Sequence, residues 1–259
     1  MTRIALGVEY CGEDFFGFQI QANLKTVQAT LEQALSRIAD EPIALICAGR
    51  TDRGVHATGQ VIHFDTKAVR PISAWLQGVN TYLPASLSVC WAREVDDQFH
   101  ARFRAIARSY RYIIYNQSIQ RAMLRHRVGF CRQPLNVAPM QEAAQYLLGE
   151  QDFTSFRSSQ CQSNTPMRCI NKITLVRQND FVMCDITANA FLHHMVRNIV
   201  GTLILVGRGL HTTLWVKTVL EARNRALAGE MAPPEGLYLI NVLYPEPYLF
   251  PPADLPFLV

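Results

Sequence analysis

The stretch Ala48-Gly49-Arg50-Thr51-Asp52-Arg53-Gly54-Val55-His56-Ala57 lies between two apolar, strand-like runs, residues 43–47 before it and 60–64 after it. Glycines stand at 49 and 54, and glycine adopts backbone angles that other residues resist. The stretch therefore reads as a tight connection between two strands that presents Asp52 outward. Arginines flank that carboxylate on both sides, and nearby guanidinium groups keep a carboxylate ionised below neutral pH. A presented, ionised carboxylate suits a nucleophile or an electrostatic anchor. It also suits an exposed ion pair of little energetic weight, so the part played by Asp52 has to come from the rest of the chain.

Working outward from this connection, Ile4, Leu6, Val8 and Tyr10 alternate as in a strand with one buried face. Phe15, Phe16 and Phe18 then form an aromatic loop that reads as packing surface in preference to a base-stacking platform. Val27, Leu31, Leu35 and Ile38 recur at helical spacing, with Thr26 placed to cap the helix. Beyond the Asp52 connection, Ser73 heads a short helix through Trp75, Leu76 and Val79, and Leu87, Val89 and Trp91 mark another strand. The order β-α-β-β-α-β is ferredoxin-like, an antiparallel sheet with helices on one face.

The second half repeats this order. Residues 108–115 form a strand with tyrosines and arginines interleaved, and Met140, Ala143, Ala144, Leu147 and Leu148 mark a helix ending near Gly149. Residues 170–177 and 181–187 pair around a Gln178-Asn179-Asp180 turn. Leu192, Val196, Ile199, Leu203 and Val206 define one face of a helix that stops near Gly207 and Gly209. A further helix covers 214–226, Gly236 introduces a last strand over 237–243, and the tail is rich in proline. The expected fold is α+β, two ferredoxin-like halves over 1–104 and 105–259. The Asp52 connection lies in the first half and the tail in the second.

Among 259 residues 49% are hydrophobic and 18% charged, a globular composition. The net charge of +4 is small, but its distribution is uneven. No Asp or Glu occurs from Gln98 to Gln141, a run of 44 residues that holds Arg102, Arg104, Arg108, Arg111, Arg121, Arg125, Arg127 and Arg132. Such a stretch suits a nucleic-acid backbone, and a purely structural role leaves it unexplained. Seven cysteines without a C-x-x-C pair signal neither a zinc ribbon nor a disulfide framework. The N-terminus lacks the regions of a signal peptide, and no run approaches the roughly 20 apolar residues that span a bilayer. The expectation is a soluble, cytoplasmic protein with no membrane partner. His193 and His194 stand close to Arg197 at helical spacing. One buried and one exposed histidine is the expected arrangement there, with no metal, since no third ligand has recognisable spacing.

Taken together these stretches strongly resemble the tRNA pseudouridine synthases of the TruA type. The resemblance runs nearly end to end. It includes Tyr10-x-Gly12, Phe15-x-Gly17-x-Gln19, Thr26-Val27-Gln28, the whole of 48–57, Gly59-Gln60-Val61 and His63-Phe64. Phe103, Arg108-x-Tyr110-Arg111-Tyr112, Asp152-Phe153 with Phe156, Phe191-Leu192-x-His194-Met195-Val196-Arg197 and Pro233-Pro234-x-Gly236-Leu237 follow in order. The resemblance implies isomerisation of uridine to pseudouridine at positions 38, 39 and 40 of the tRNA anticodon stem-loop, without cofactor or metal. It places the essential aspartate on Asp52 and the tyrosine that packs on the target base on Tyr110. The arginine that displaces the base falls on Arg50, and the basic partner of the aspartate on Arg197. It implies a homodimer, and two halves forming a continuous antiparallel sheet flanked by helices with a basic cleft between them. Arg102, Arg104, Arg108, Arg121, Arg125 and Arg127 are the expected contacts to the RNA backbone. Phe18 stands where the family usually has tryptophan, Ile20 where it often has arginine, and Gln151 where histidine is common. These departures bear on tRNA affinity or target range. The alternatives are a related synthase acting at other tRNA positions and a non-catalytic RNA-binding protein on the same scaffold.

Overall fold

The computed structural model of the chain describes residues 1–253. Contacts divide it into two compact units, Met1–Arg108 with the residues from Tyr238 onward, and Ser109–Leu237. The first unit opens with β1 (Thr2–Tyr10), α1 (Val27–Ala39), β2 (Leu45–Cys47), β3 (His56–Thr66) and β4 (Leu87–Val95). β1 lies between β3 and β4 and is antiparallel to both, and β2 pairs antiparallel with the far half of β3, Leu45 opposite Phe64. The spatial order β4-β1-β3-β2 is the ferredoxin-like one expected from the order of elements.

Local chemistry explains the elements. Thr26 accepts a hydrogen bond from the Ala29 N–H at the first turn of α1, a cap worth about 1 kcal/mol. Ile4 and Leu6 stand opposite Phe64 and Ile62, and all four are buried, as are Leu31 and Leu35 of α1. The short helix after β3 is a π-helical turn, Ala74–Gly78, that buries Trp75 against Phe64 at 5.2 Å between ring centroids. Ser73 heads this turn without a side-chain cap.

The second unit contains β5 (Ala107–Asn116, which begins just before the boundary), β6 (Gly129–Cys131), α2 (Val137–Gln145), β7 (Gly149–Asp152), β8 (Met167–Gln178), β9 (Phe181–Ala188), α3 (Met195–Gly207) and α4 (Thr213–Glu221). Its strands run in the order β5-β9-β8-β7, with β6 parallel to β5. β8 and β9 form a hairpin in which Gln178 faces Phe181. Asn179 turns the chain at φ 52°, an angle that asparagine tolerates better than most residues. α3 is buried nearly all round, from Met195 through Leu203. That goes beyond the one-faced helix expected, and such a helix belongs inside a core.

Several elements differ from the sequence reading. The helix expected over 214–226 ends at Glu221. The short strands β6 and β7 carry no periodic signal in the sequence. The last strand, β10 (Leu237–Leu243), groups from Tyr238 with the first unit, where Tyr238 and Leu239 pair in parallel with His56 and Ala57 of β3. The chain after it packs in the same place. The Tyr244 hydroxyl donates to the Ala101 carbonyl, and Phe250 stacks on Trp91 at 4.5 Å. Aromatic burial thus holds a proline-rich segment that forms no ladder of its own. Among the described residues no helix is long and apolar enough to cross a membrane.

Candidate active site

Asp52 sits half-buried in the connection from β2 to β3. Its carbonyl accepts from the Val55 N–H at 3.1 Å, closing a β-turn in which Gly54 takes φ 80°. A type II turn requires a positive angle at that position, which glycine supplies without strain. Gly49 does not adopt a positive φ, so of the two flanking glycines only one is needed for the turn. The strand expected over 60–64 begins earlier, and His56 and Ala57 already belong to β3.

The turn is held from several sides within the first unit. Ala48 donates its N–H to the Val61 carbonyl, and its own carbonyl accepts from the Arg108 guanidinium at 3.1 Å. The Gln60 amide nitrogen donates to the Gly49 carbonyl at 2.6 Å, and its oxygen faces the Gly49 N–H at 3.4 Å. The Thr51 hydroxyl is 2.7 Å from that of Tyr10, and the Thr51 carbonyl accepts from the Phe18 N–H. Gly17, at φ 88°, passes so close that a Cβ there would lie 3.1 Å from the Thr51 carbonyl oxygen. The aromatic loop is therefore packing surface, as expected: Phe15 and Phe18 are buried. Phe16 is the more exposed of the three, and the Arg53 guanidinium lies 4.3 Å over its ring. Arg50, beside this network, projects into solvent.

The second unit carries Tyr110 and Arg197. Tyr110, 8% exposed in β5, meets Phe191 edge-on at 5.1 Å. Arg197, 7% exposed in the first turn of α3, donates from Nε to the Ala232 carbonyl at 2.8 Å, and its own carbonyl accepts from the Ala232 N–H. It is a buried, oriented cation. His193 and His194 depart from the expectation of one buried and one exposed ring. Both are half-buried, with ring centroids 3.8 Å apart. His194 caps α3 at φ 65° and His193 precedes it, so helical spacing to Arg197 does not apply to them.

The acid-free stretch divides under the same scrutiny. Arg102, Arg104, Arg121, Arg125 and Arg127 are exposed. Arg104 reaches the Gln98 carbonyl and Arg121 the Tyr115 hydroxyl. Arg108 donates to the carbonyls of Ala48, Arg102 and Ala105, so its guanidinium is engaged within the protein. Arg111 forms a two-pronged pair with Asp185 at 2.6 and 2.7 Å. Tyr112 and Tyr115 are buried, and the Tyr112 hydroxyl donates to the Pro233 carbonyl. Interleaved tyrosines thus belong to the core, while the arginines nearest the surface keep their charge in solvent.

The chain belongs to the tRNA pseudouridine synthase family, whose model matches residues 7–104 and 143–245. These are isomerases that convert uridine to pseudouridine within tRNA. The chain is 56% identical over 253 residues to the tRNA pseudouridine synthase A of Shewanella loihica, covering 98% of this chain and 97% of that one. It is 55% identical to that of Shewanella halifaxensis, with the same coverage, and 54% identical to that of Colwellia psychrerythraea, over 98% of both chains.

The sequence reading passed over Gln60 and Tyr10 as parts of the site. Their signal was present. Gln60 falls in register with Ile62 and Phe64 on the core face of its strand, where a polar side chain needs a partner.

Proposed function

We propose that this enzyme isomerises uridine at positions 38, 39 and 40 of the tRNA anticodon stem-loop, with Asp52 as the essential carboxylate. The observation that carries the role of Asp52 is its position on a short turn whose neighbours at 48, 49 and 51 are each hydrogen-bonded. A group that must meet a reacting carbon needs such fixed geometry.

The reaction breaks the N1–C1′ bond, turns the uracil and rejoins it through C5, so the bonds lost and formed balance within the substrate. A base in a stem-loop has to leave its stack first, at a cost of a few kcal/mol. Arg50 projects freely enough to occupy the vacated place, since a guanidinium plane packs on bases and its charge suits phosphates. The Tyr110 ring, braced by Phe191, receives the flipped base by stacking, worth roughly 1–3 kcal/mol. Asp52 acts as nucleophile or as base. Attack at C1′, attack at C6 and abstraction of a ribose proton all need it ionised and aimed. Arg197, oriented by the Ala232 carbonyl, supplies the positive partner of the essential carboxylate in this reading. The exposed arginines Arg102, Arg104, Arg121, Arg125 and Arg127 hold the RNA backbone, and Arg108 serves it indirectly by bracing the segment that carries Arg102 and Arg104. Phosphate contacts position RNA without reading its sequence, which suits an enzyme that acts on neighbouring positions in many tRNAs. Action in the cytoplasm as a homodimer completes the proposal, and sedimentation of the purified chain tests the dimer.

Tritium release from tRNA labelled at uridine C5 tests the activity, and mapping the modified nucleotides tests the positions. Wild type is expected to release tritium and Asp52→Asn to release none above background, with both folded alike. Full activity in Asp52→Asn overturns the role of that residue. Modification confined to nucleotides outside 38–40 moves the chain to a related specificity, which the exposed Ile20 in place of a cation would favour.

A further inference from the structure

Gln60 is 0% exposed on β3. Its cross-strand neighbour is Val8, and Ile62 and Phe64 follow it on the same face. A leucine there would satisfy the core, and a buried carboxamide is costly unless both ends are bonded. Both ends face one residue. The amide nitrogen donates to the Gly49 carbonyl at 2.6 Å and the amide oxygen faces the Gly49 N–H at 3.4 Å. The side chain thus does for Gly49 what a neighbouring strand would do, at the point where the chain leaves β2 and has no ladder partner of its own. The same nitrogen lies 3.4 Å from the Tyr10 hydroxyl, which is 2.7 Å from that of Thr51. One buried network therefore reaches the backbone three residues before Asp52 and the side chain immediately before it.

We infer that Gln60 is a positioning residue for the reaction: with Tyr10 it sets the path of residues 49–51 and so the direction in which the Asp52 carboxylate points. The inference rests on the reading of Asp52 as the essential carboxylate. Gln60 touches neither substrate nor reacting atoms. Its effect is on the fraction of time the carboxylate is aimed, so its loss lowers kcat and leaves tRNA binding in place.

Gln60→Met keeps the length and apolar bulk of the side chain and removes both bonds to Gly49. Steady-state kinetics with anticodon-arm tRNA should show kcat down by about tenfold to a hundredfold and KM within about twofold of wild type. Tyr10→Phe, which removes one hydroxyl and no volume, should lower kcat by a few-fold in the same pattern. Combined with Gln60→Met it should add less than the product of the two, because the residues share one network. Gln60→Met with wild-type kcat overturns the inference. So does a rise in KM that matches the fall in kcat/KM, the pattern of lost tRNA affinity. Should Gln60→Met not fold, Tyr10→Phe decides alone: an unchanged kcat sinks the proposal. Asp52→Asn, run beside them, separates the two claims. An active Asp52→Asn removes the underlying reading whatever Gln60 does. An inactive one with an unaffected Gln60→Met removes only the positioning role.

Discussion

Each unit contains a strand-to-strand connection at the same place in the β-α-β-β order, and the two are built differently. In the second unit β8 passes to β9 through Asn179 and Asp180, with Gln178 facing Phe181, so the ladder itself closes the turn. In the first unit β2 passes to β3 through residues 48–55, a segment with no ladder partner. There the backbone is held by side chains and distant carbonyls: Val61 and Arg108 at Ala48, Gln60 at Gly49, Phe18 and Tyr10 at Thr51. The short turn closes the hairpin, and its Asp180 carbonyl accepts from the Asn116 N–H of the neighbouring strand. A longer one exposes a residue between the strands, but only if other parts of the molecule supply the hydrogen bonds the sheet no longer makes. The role proposed for Asp52 thus rests on a longer connection within an ordinary scaffold.

Substitutions can break this contrast in order of effect. Asp52→Asn removes the group the longer connection presents and should cost all measurable tritium release. Gly54→Val comes next. A β-branched residue resists the positive φ of that position by about 1–2 kcal/mol, and the displaced turn should lower kcat roughly tenfold. Unchanged kinetics would show that Asp52 tolerates a loosely held turn. Replacing Arg125 and Arg127 by alanine should flatten the dependence of log Kd for tRNA on log salt by about 0.7–0.9 per lost phosphate contact, with kcat at saturation preserved. An identical slope would remove these residues from the RNA surface.

A pH experiment probes the first unit through His63. His63 of β3 accepts the Ala101 N–H through Nδ1. Burial first, then the neighbouring His100 and Arg3, lower its pKa from 6.5 to about 4. Between those values the unfolded chain takes up a proton that the folded one refuses, so stability falls as the pH drops from 6.5 toward 4. The urea midpoint of unfolding should fall over that window in wild type and less so in His63→Gln. An equal fall in both would assign the acid sensitivity elsewhere. The smallest effect belongs to the second unit: Asn179→Gly, at φ 52°, should alter stability by no more than about 1 kcal/mol and leave tritium release untouched.

Features set by neighbours in the chain were legible in the sequence. Alternation placed β1, helical spacing placed α1, Thr26 capped it, and the pattern set the glycine-flanked carboxylate between two strands. These depend on backbone angles and contacts a few residues apart, which residue type controls. The tertiary structure decided what depends on partners far along the chain. It buried Tyr112 and Tyr115, engaged Arg108 on Ala48, started α3 at Met195 after a left-handed His194, and grouped β10 and the following segment with the first unit. It also turned Gln60, a polar residue on an apolar face, into the partner of Gly49. Hydrogen-bond partners and burial are properties of the assembled core. Sequence shows which groups will need a partner, and folding chooses which partner each one finds.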